Sequence, residues 1–150
     1  DDAVIKKAIY NELQRNGQIY YIHNRVKSIH DVGRKIEELA PQARVRVAHG
    51  QMSKQELERT MWDFYHHEFD ILVCTTIVES GLDISNVNTL IIEEVERLGL
   101  AQIHQLRGRV GRSNIQAYAY LLHDAKKPLT KEARQRLTVI QEYSHLGNFV

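Results

Sequence analysis

The chain has 150 residues, of which 43% are hydrophobic and 26% are charged, and its formal net charge is +1. This length and composition are typical of one folded globular domain, and the small net charge excludes a basic field over the whole molecule, so any nucleic-acid contact must be local. The one cysteine, Cys74, excludes an internal disulfide framework and lies in the apolar run 71–74, where we expect a buried, unreactive thiol.

The sequence contains no apolar run near the roughly 20 residues of a membrane span. It does not begin like a signal peptide. The missing initiator methionine and the abrupt end indicate a piece of a longer protein.

The first third of the chain alternates helical and strand patterns. Apolar residues between Val4 and Leu13 recur at helical spacing, and Gly17 is expected to close that helix. Residues 18–23 are rich in β-formers and predict a buried strand. Ser28 is the expected N-cap of a second helix, which Pro41 stops.

The middle of the chain continues this alternation. A short strand is predicted at residues 45–48, and Ser53 with Glu56 forms a capping box for a third helix. Trp62 on that helix is expected in the core or at an interface. We expect the helix to bury Leu57, Met61 and either Phe64 or Tyr65.

Three further strands are predicted, at residues 69–74, 89–92 and 117–122. Pro128 then separates a final helix at about residues 130–145, and Gly147 ends it. Short apolar strands that alternate with amphipathic helices predict an α/β fold, an open and mostly parallel sheet flanked by helices, with a C-terminal helical extension.

Three polar segments follow predicted strands, at residues 23–25, 49–52 and 75–83. In parallel α/β sheets, ligands gather at the carboxyl ends of the strands. Hydroxyls, amides and a glycine backbone suit the binding of phosphates without base readout. Each segment has an ordinary alternative: His49 as a turn or core histidine, Thr75 with Thr76 as a helix cap, and Asp83 as a loop residue with a local hydrogen bond.

Residues 105–112, with the sequence QLRGRVGR, form a compact arginine-glycine segment. On a helix, Arg109 and Arg112 share one face. Gly108 and Gly111 are also one turn apart, and each costs about 1 kcal/mol relative to alanine, which indicates the close approach of a ligand or another backbone. Two guanidinium groups on one face suit a phosphate-rich ligand. The alternative is a solvated helix end with surface ion pairs.

The order of these segments resembles superfamily 2 helicases and translocases. Residues 21–25 are similar to motif IV, residues 75–83 to motif V and residues 105–112 to motif VI. Within that superfamily, the segments 49–52, 56–58, 61–64, 72–79 and 99–102 closely resemble the transcription-repair coupling factors, and the similarity covers nearly the whole chain. The RecG-like fork-remodelling helicases rank second. Glu93 and Glu94 are more acidic than the family pattern leads us to expect.

The resemblance implies a second RecA-like lobe at residues 1–127 and the truncated start of a translocation-motif helical segment at residues 128–150. Arg109 and Arg112 would contact ATP phosphates and stabilise charge during hydrolysis, and Gln105 would couple the two lobes. Gly81 and Asp83 would approach the nucleotide, and Glu79 would link the nucleotide and DNA sites. The DNA contacts would come from Asn24, Arg25, His49, Gly50, Thr75 and Thr76.

The sequence contains neither the phosphate-binding motif Gly-x-x-x-x-Gly-Lys-Ser/Thr nor an Asp-Glu box. We therefore expect that this chain alone does not hydrolyse ATP or hold it tightly, and that it has no metal site. In the intact protein, the first RecA-like lobe would bind most of the ATP and Mg²⁺.

The resemblance further implies a double-stranded DNA translocase that displaces stalled RNA polymerase and couples transcription to nucleotide excision repair. RNA polymerase and the excision-repair proteins would be bound through other domains, the protein would lie in the bacterial cytoplasm, and no membrane would be involved. Two alternatives stay open: a lobe of a RecG-like helicase, and a non-catalytic RecA-like binding module.

Overall fold

The computed structural model describes residues 2–75, 86–94 and 116–122. Its helices are α1 Asp2–Gln14, α2 Ile29–Leu39 and α3 Lys54–Tyr65, and a short 3₁₀ turn, Val26–Ser28, precedes α2. Its strands are β1 Gln18–Ile22, β2 Val45–Ala48, β3 Ile71–Cys74, β4 Val87–Ile92 and β5 Tyr118–Leu121. The final helix expected at residues 130–145 lies outside the described residues.

The described strands form one five-stranded sheet in the order β2-β3-β1-β4-β5, and every neighbouring pair is parallel. The three inner strands are buried along their whole length, whereas the edge strands β2 and β5 are partly exposed. Continuous apolar runs become inner strands because helices cover both faces of a parallel sheet. The predicted open parallel α/β fold is confirmed.

Two hydrophobic clusters lie on opposite faces of the sheet. One cluster packs α1 and α2 against the sheet through Ile9, Ile29 and Ile36. The other packs α3 through Met61 and Phe64. Alternate strand residues supply each cluster because successive side chains of a strand point to opposite faces. Among the described residues, the structure shows no helix long and apolar enough to cross a membrane.

The end of α1 differs from the expectation for Gly17. The left-handed residue is Asn16, with φ of 58°, and the Gly17 N–H donates to the Glu12 carbonyl at 3.1 Å. This is the hydrogen-bond pattern of a helix end with asparagine in the left-handed position. A side chain on Gly17 would place its Cβ 2.1 Å from the Glu12 carboxylate, so close packing is what requires glycine here.

The two serine caps behave differently. Ser53 accepts a hydrogen bond from the Glu56 N–H at 3.1 Å, as predicted. Ser28 occupies the N-cap position of α2, but its hydroxyl makes no capping hydrogen bond. It pairs instead with the imidazole of His23 at 2.7 Å.

The exposed side of α3 carries large aromatic side chains. Phe64 is buried and Tyr65 is exposed, which decides between the two predicted alternatives. Trp62 is 55% exposed, which excludes the core position and leaves the alternative of an interface. The helix places residue 62 on the side opposite Phe64 because two positions correspond to about 200° of rotation.

Candidate functional site

The last residues of the five strands lie in one row across the sheet. The aligned residues, in strand order, are Ala48, Cys74, Ile22, Ile92 and Leu121. Neighbouring strands lie about 4.8 Å apart. The loops that follow β2, β3, β1 and β4 therefore begin side by side at one edge, which we call the carboxyl edge.

The loop after β2 is a tight turn built by His49. The Met52 N–H donates to the His49 carbonyl at 3.1 Å, and the Gln51 N–H donates to His49 Nδ1 at 3.2 Å. The His49 ring thus stabilises a turn, which is one of the ordinary alternatives considered for this residue. Gly50 is exposed, and a Cβ built on it meets no atom within 4 Å. A ligand can approach its backbone closely.

Thr75 follows β3 directly and is buried. The preceding residue, Cys74, is fully buried, and burial raises the pKa of its thiol to about 12. The expectation of a buried cysteine is confirmed, and its thiol stays protonated at neutral pH.

The loop after β1 is fixed to the end of β4 by a hydrogen-bonded group. Glu93 accepts from His23 Nδ1 at 2.9 Å, so that nitrogen carries a proton, and His23 Nε2 lies 2.7 Å from the Ser28 hydroxyl. Tyr21 also donates to Glu93, and burial, followed by the charge of Glu93 and this hydrogen bond, raises the pKa of the phenol. The group holds the start of α2 against the sheet.

Arg25 in the same loop pairs with the next acidic residue. One guanidinium nitrogen donates to both carboxylate oxygens of Glu94, at 3.1 and 3.2 Å. The side chains of Arg25 and Glu94 are 47% and 35% exposed, so the pair lies in contact with solvent. Asn24, between His23 and Arg25, is exposed.

The structure therefore brings five of the expected DNA-contact residues to one edge: Asn24, Arg25, His49, Gly50 and Thr75. The other expected site residues lie outside the described part of the chain: Thr76, Glu79, Gly81, Asp83, Gln105, Arg109 and Arg112. Within the described residues, no group of three or more His, Cys, Asp or Glu side chains could hold a metal ion.

No role was expected for Glu93 or Glu94, which stood out only as more acidic than the family pattern. Their partners, His23 and Arg25, lie 70 and 69 positions earlier in the chain. No local pattern contains such a pair. The only feature of the sequence that could have indicated these pairs was the unexpected negative charge directly after a buried strand.

Residues 2–114 match the helicase conserved C-terminal domain. The chain belongs to this family. Its parallel sheet and the polar loops along the carboxyl edge are thus those of a helicase C-terminal domain.

Transcription-repair coupling factors are similar to this helicase C-terminal domain over almost its whole length. The protein from Haemophilus influenzae is 53% identical over 147 residues, which cover 98% of this chain and 13% of the relative. The protein from Escherichia coli is 50% identical over 147 residues, with the same two coverages of 98% and 13%. The chain spans about one eighth of the length of these curated relatives.

Solved structures show the same fold. The helicase C-terminal domain superposes on RecG bound to a three-way DNA junction with a TM-score of 0.78 and 34% identity, over 94% of this chain and 20% of that one. Domain 2 of the DEAD-box helicase Mss116p, bound to an RNA duplex, gives a TM-score of 0.71 at 19% identity, over 99% of this chain and 56% of that one. The fold is the RecA-like fold of helicase C-terminal domains.

Proposed function

We propose that this chain is the second motor lobe of an ATP-dependent double-stranded DNA translocase. The observation that carries the proposal is the row of polar loops along the carboxyl edge of a helicase C-terminal domain. The likeness to RecG solved on a DNA junction supports DNA as the partner. The similarity to transcription-repair coupling factors supports a protein that displaces stalled RNA polymerase and couples transcription to excision repair.

DNA would be gripped through its sugar-phosphate backbone. Asn24 and Arg25 after β1, His49 and Gly50 after β2, and Thr75 with Thr76 after β3 would face the phosphates. Side-chain amides, hydroxyls and guanidinium groups are the usual phosphate donors, together with backbone N–H groups. Contacts of this kind carry no base information, so the motor would move along any sequence.

ATP would bind between this lobe and a first RecA-like lobe of the same protein, which would hold most of the nucleotide and its Mg²⁺. Arg109 and Arg112 would stabilise the charge that develops on the phosphates, and Gln105 would lie at the interface of the lobes. Closure on ATP and reopening after hydrolysis would shift the backbone grip. Gly81 and Asp83 would contact the nucleotide, and Glu79 would connect both sites.

The remaining functions of the whole protein would lie elsewhere. RNA polymerase and the excision-repair proteins would be bound through other domains, in the bacterial cytoplasm. Residues 1–127 would form the lobe proper, and residues 128–150 would start the helical segment that couples the motor to duplex movement.

The decisive experiment replaces Arg112 by alanine in the full-length protein. We expect DNA-stimulated ATP turnover to fall by about a thousandfold or more, as the loss of an arginine finger does in other phosphoryl transfers. Duplex binding, measured by fluorescence anisotropy, should persist because the expected DNA contacts are other residues.

Arg34→Ala is the matched control. Arg34 lies on α2, where its exposed side chain pairs with Asp31, so its loss should leave turnover near the wild-type rate. Normal turnover in the Arg112 variant would contradict the finger role. It would favour the alternative of a non-catalytic binding module.

A RecG-like fork-remodelling motor is the second candidate, and the superposition on RecG favours it. Two assays on the full-length protein separate the candidates. Displacement of a stalled RNA polymerase supports transcription-repair coupling, and conversion of a stalled fork to a four-way junction without polymerase displacement supports the second candidate.

A further inference from the structure

Two adjacent carboxylates at the carboxyl edge have different surroundings. Glu93 is turned inward, where it accepts hydrogen bonds from His23 and Tyr21. Glu94 reaches across to Arg25 in the neighbouring loop and stays partly exposed. Glu93 thus fixes the loop after β1, whereas Glu94 accepts from one guanidinium nitrogen of Arg25 in that loop.

The backbone at Glu94 has an uncommon conformation. Its φ is 49°, in the left-handed region that few residues other than glycine adopt. β4 ends at Ile92, and the Glu93 N–H donates to the Ile22 carbonyl at 3.0 Å. The left-handed turn follows directly, at the position where the chain leaves β4 beside the loop that carries Arg25. Strained residues of this kind persist where the surrounding contacts hold them.

A phosphate can compete with the Glu94 carboxylate for Arg25. A guanidinium group binds carboxylates and phosphates with the same planar donor geometry. The pair is in contact with solvent, and exposed ion pairs contribute little to stability. A phosphodiester that reaches this edge therefore meets an arginine that already donates from one guanidinium nitrogen to a carboxylate in contact with solvent.

We infer that Glu94 competes with the backbone phosphates of duplex DNA for the guanidinium group of Arg25. This inference rests on the proposed function, because it concerns the same DNA grip. Glu94 would weaken the contact between Arg25 and the DNA backbone. A motor that has to release the backbone at every step gains from contacts that exchange readily.

The test is Glu94→Gln in the full-length protein, with binding to a labelled duplex of arbitrary sequence measured by fluorescence anisotropy at several salt concentrations. We expect about threefold tighter binding near 0.1 M salt, the range that the loss of one exposed ion pair allows. The plot of log K against log salt should become steeper by about one unit or less, because Arg25 then neutralises a phosphate with no compensating loss of a partner.

Glu38→Gln is the matched control, since it makes the same charge change on an exposed residue near the end of α2. That end of the helix leads into β2 and so lies near the opposite edge of the sheet. Its effect on DNA affinity should be less than half that of Glu94→Gln. Arg25→Gln should weaken binding, and adding Glu94→Gln to it should produce no further change.

Equal effects of Glu94→Gln and Glu38→Gln would overturn the inference, because net charge would then explain both. Tighter binding by Glu94→Gln in the Arg25→Gln background would also overturn it, because the competitor would act without its arginine. The failure of the proposed function looks different: the wild-type protein and every variant would then show no duplex binding.

Discussion

Glu12 shows how one buried charge constrains its neighbours. Its side chain is fully buried and receives two hydrogen bonds from Arg15, at 2.7 and 3.0 Å, and a third from the Thr89 hydroxyl. A buried ion pair is costly to break because an unpaired charge stays in a medium of low polarity. The absence of a side chain at Gly17 leaves the space that this carboxylate occupies.

Gly17→Ala should therefore destabilise the fold. The new Cβ would lie 2.1 Å from the Glu12 carboxylate, which can move only by giving up hydrogen bonds to Arg15 or Thr89. We expect the free energy of unfolding to fall by about 1–3 kcal/mol, measured by urea denaturation. Gly50→Ala is the control, because its Cβ meets nothing within 4 Å, and a loss as large as that for Gly17→Ala would refute the explanation.

At the scale of the elements, an ion pair joins the segments that lead into β2 and β3. Asp70 accepts from the Arg44 backbone N–H at 2.8 Å and from the Arg44 guanidinium at 3.1 and 3.3 Å. Burial alone would raise the pKa of Asp70, but these hydrogen bonds and the charge of Arg44 outweigh it and lower the pKa below its usual value. The pair fixes the edge strand β2 and its neighbour β3 at their amino ends.

The lowered pKa gives a direction for the pH dependence of stability. The ionised Asp70 stabilises the fold above its unfolded pKa of about 4, and this stabilisation is lost as the pH falls through the lower folded pKa. Asp70→Asn should cost about 1–2 kcal/mol at pH 7 and should flatten the acid limb of a thermal unfolding profile. Asp31→Asn, which removes an exposed partner of Arg34, should do neither; an unchanged acid limb in Asp70→Asn would contradict this role of Asp70.

At the scale of the whole molecule, the parallel order of the strands turns separate sequence segments into one edge. Loops that begin at residues 23, 49, 75 and 93 meet there because the last residues of their strands align. The proposed ATP site is incomplete in this chain, because the sequence lacks the phosphate-binding motif. ATP would be held between two lobes.

We therefore expect the isolated chain to show no ATP turnover above background, with or without duplex DNA. Its affinity for ATP should be too weak to measure at micromolar concentrations, because the cradle for the phosphates is missing. Addition of the first lobe as a separate protein should restore turnover. The full-length protein should show turnover by itself. Turnover is measured with a phosphate-release assay. Robust turnover by the isolated chain would disprove the proposal that this chain forms only part of the ATP site.

Periodicity and local chemistry in the sequence determined most of the secondary structure. The strands, the three described helices and the Ser53 cap follow from patterns within a few residues, which is the range over which backbone propensity and capping act. Family motifs placed the polar loops after their strands. The start of β3 at Ile71, two residues later than predicted, depended on neighbours that the local pattern does not contain.

Only the tertiary structure decided how the polar groups are paired. The hydroxyl of Ser28 turns from its helix to His23, and Glu93 and Glu94 hold residues about 70 positions away. Hydrogen bonds and ion pairs depend on distances of about 3 Å, and the order of the strands in the sheet, rather than their order in the chain, sets those distances.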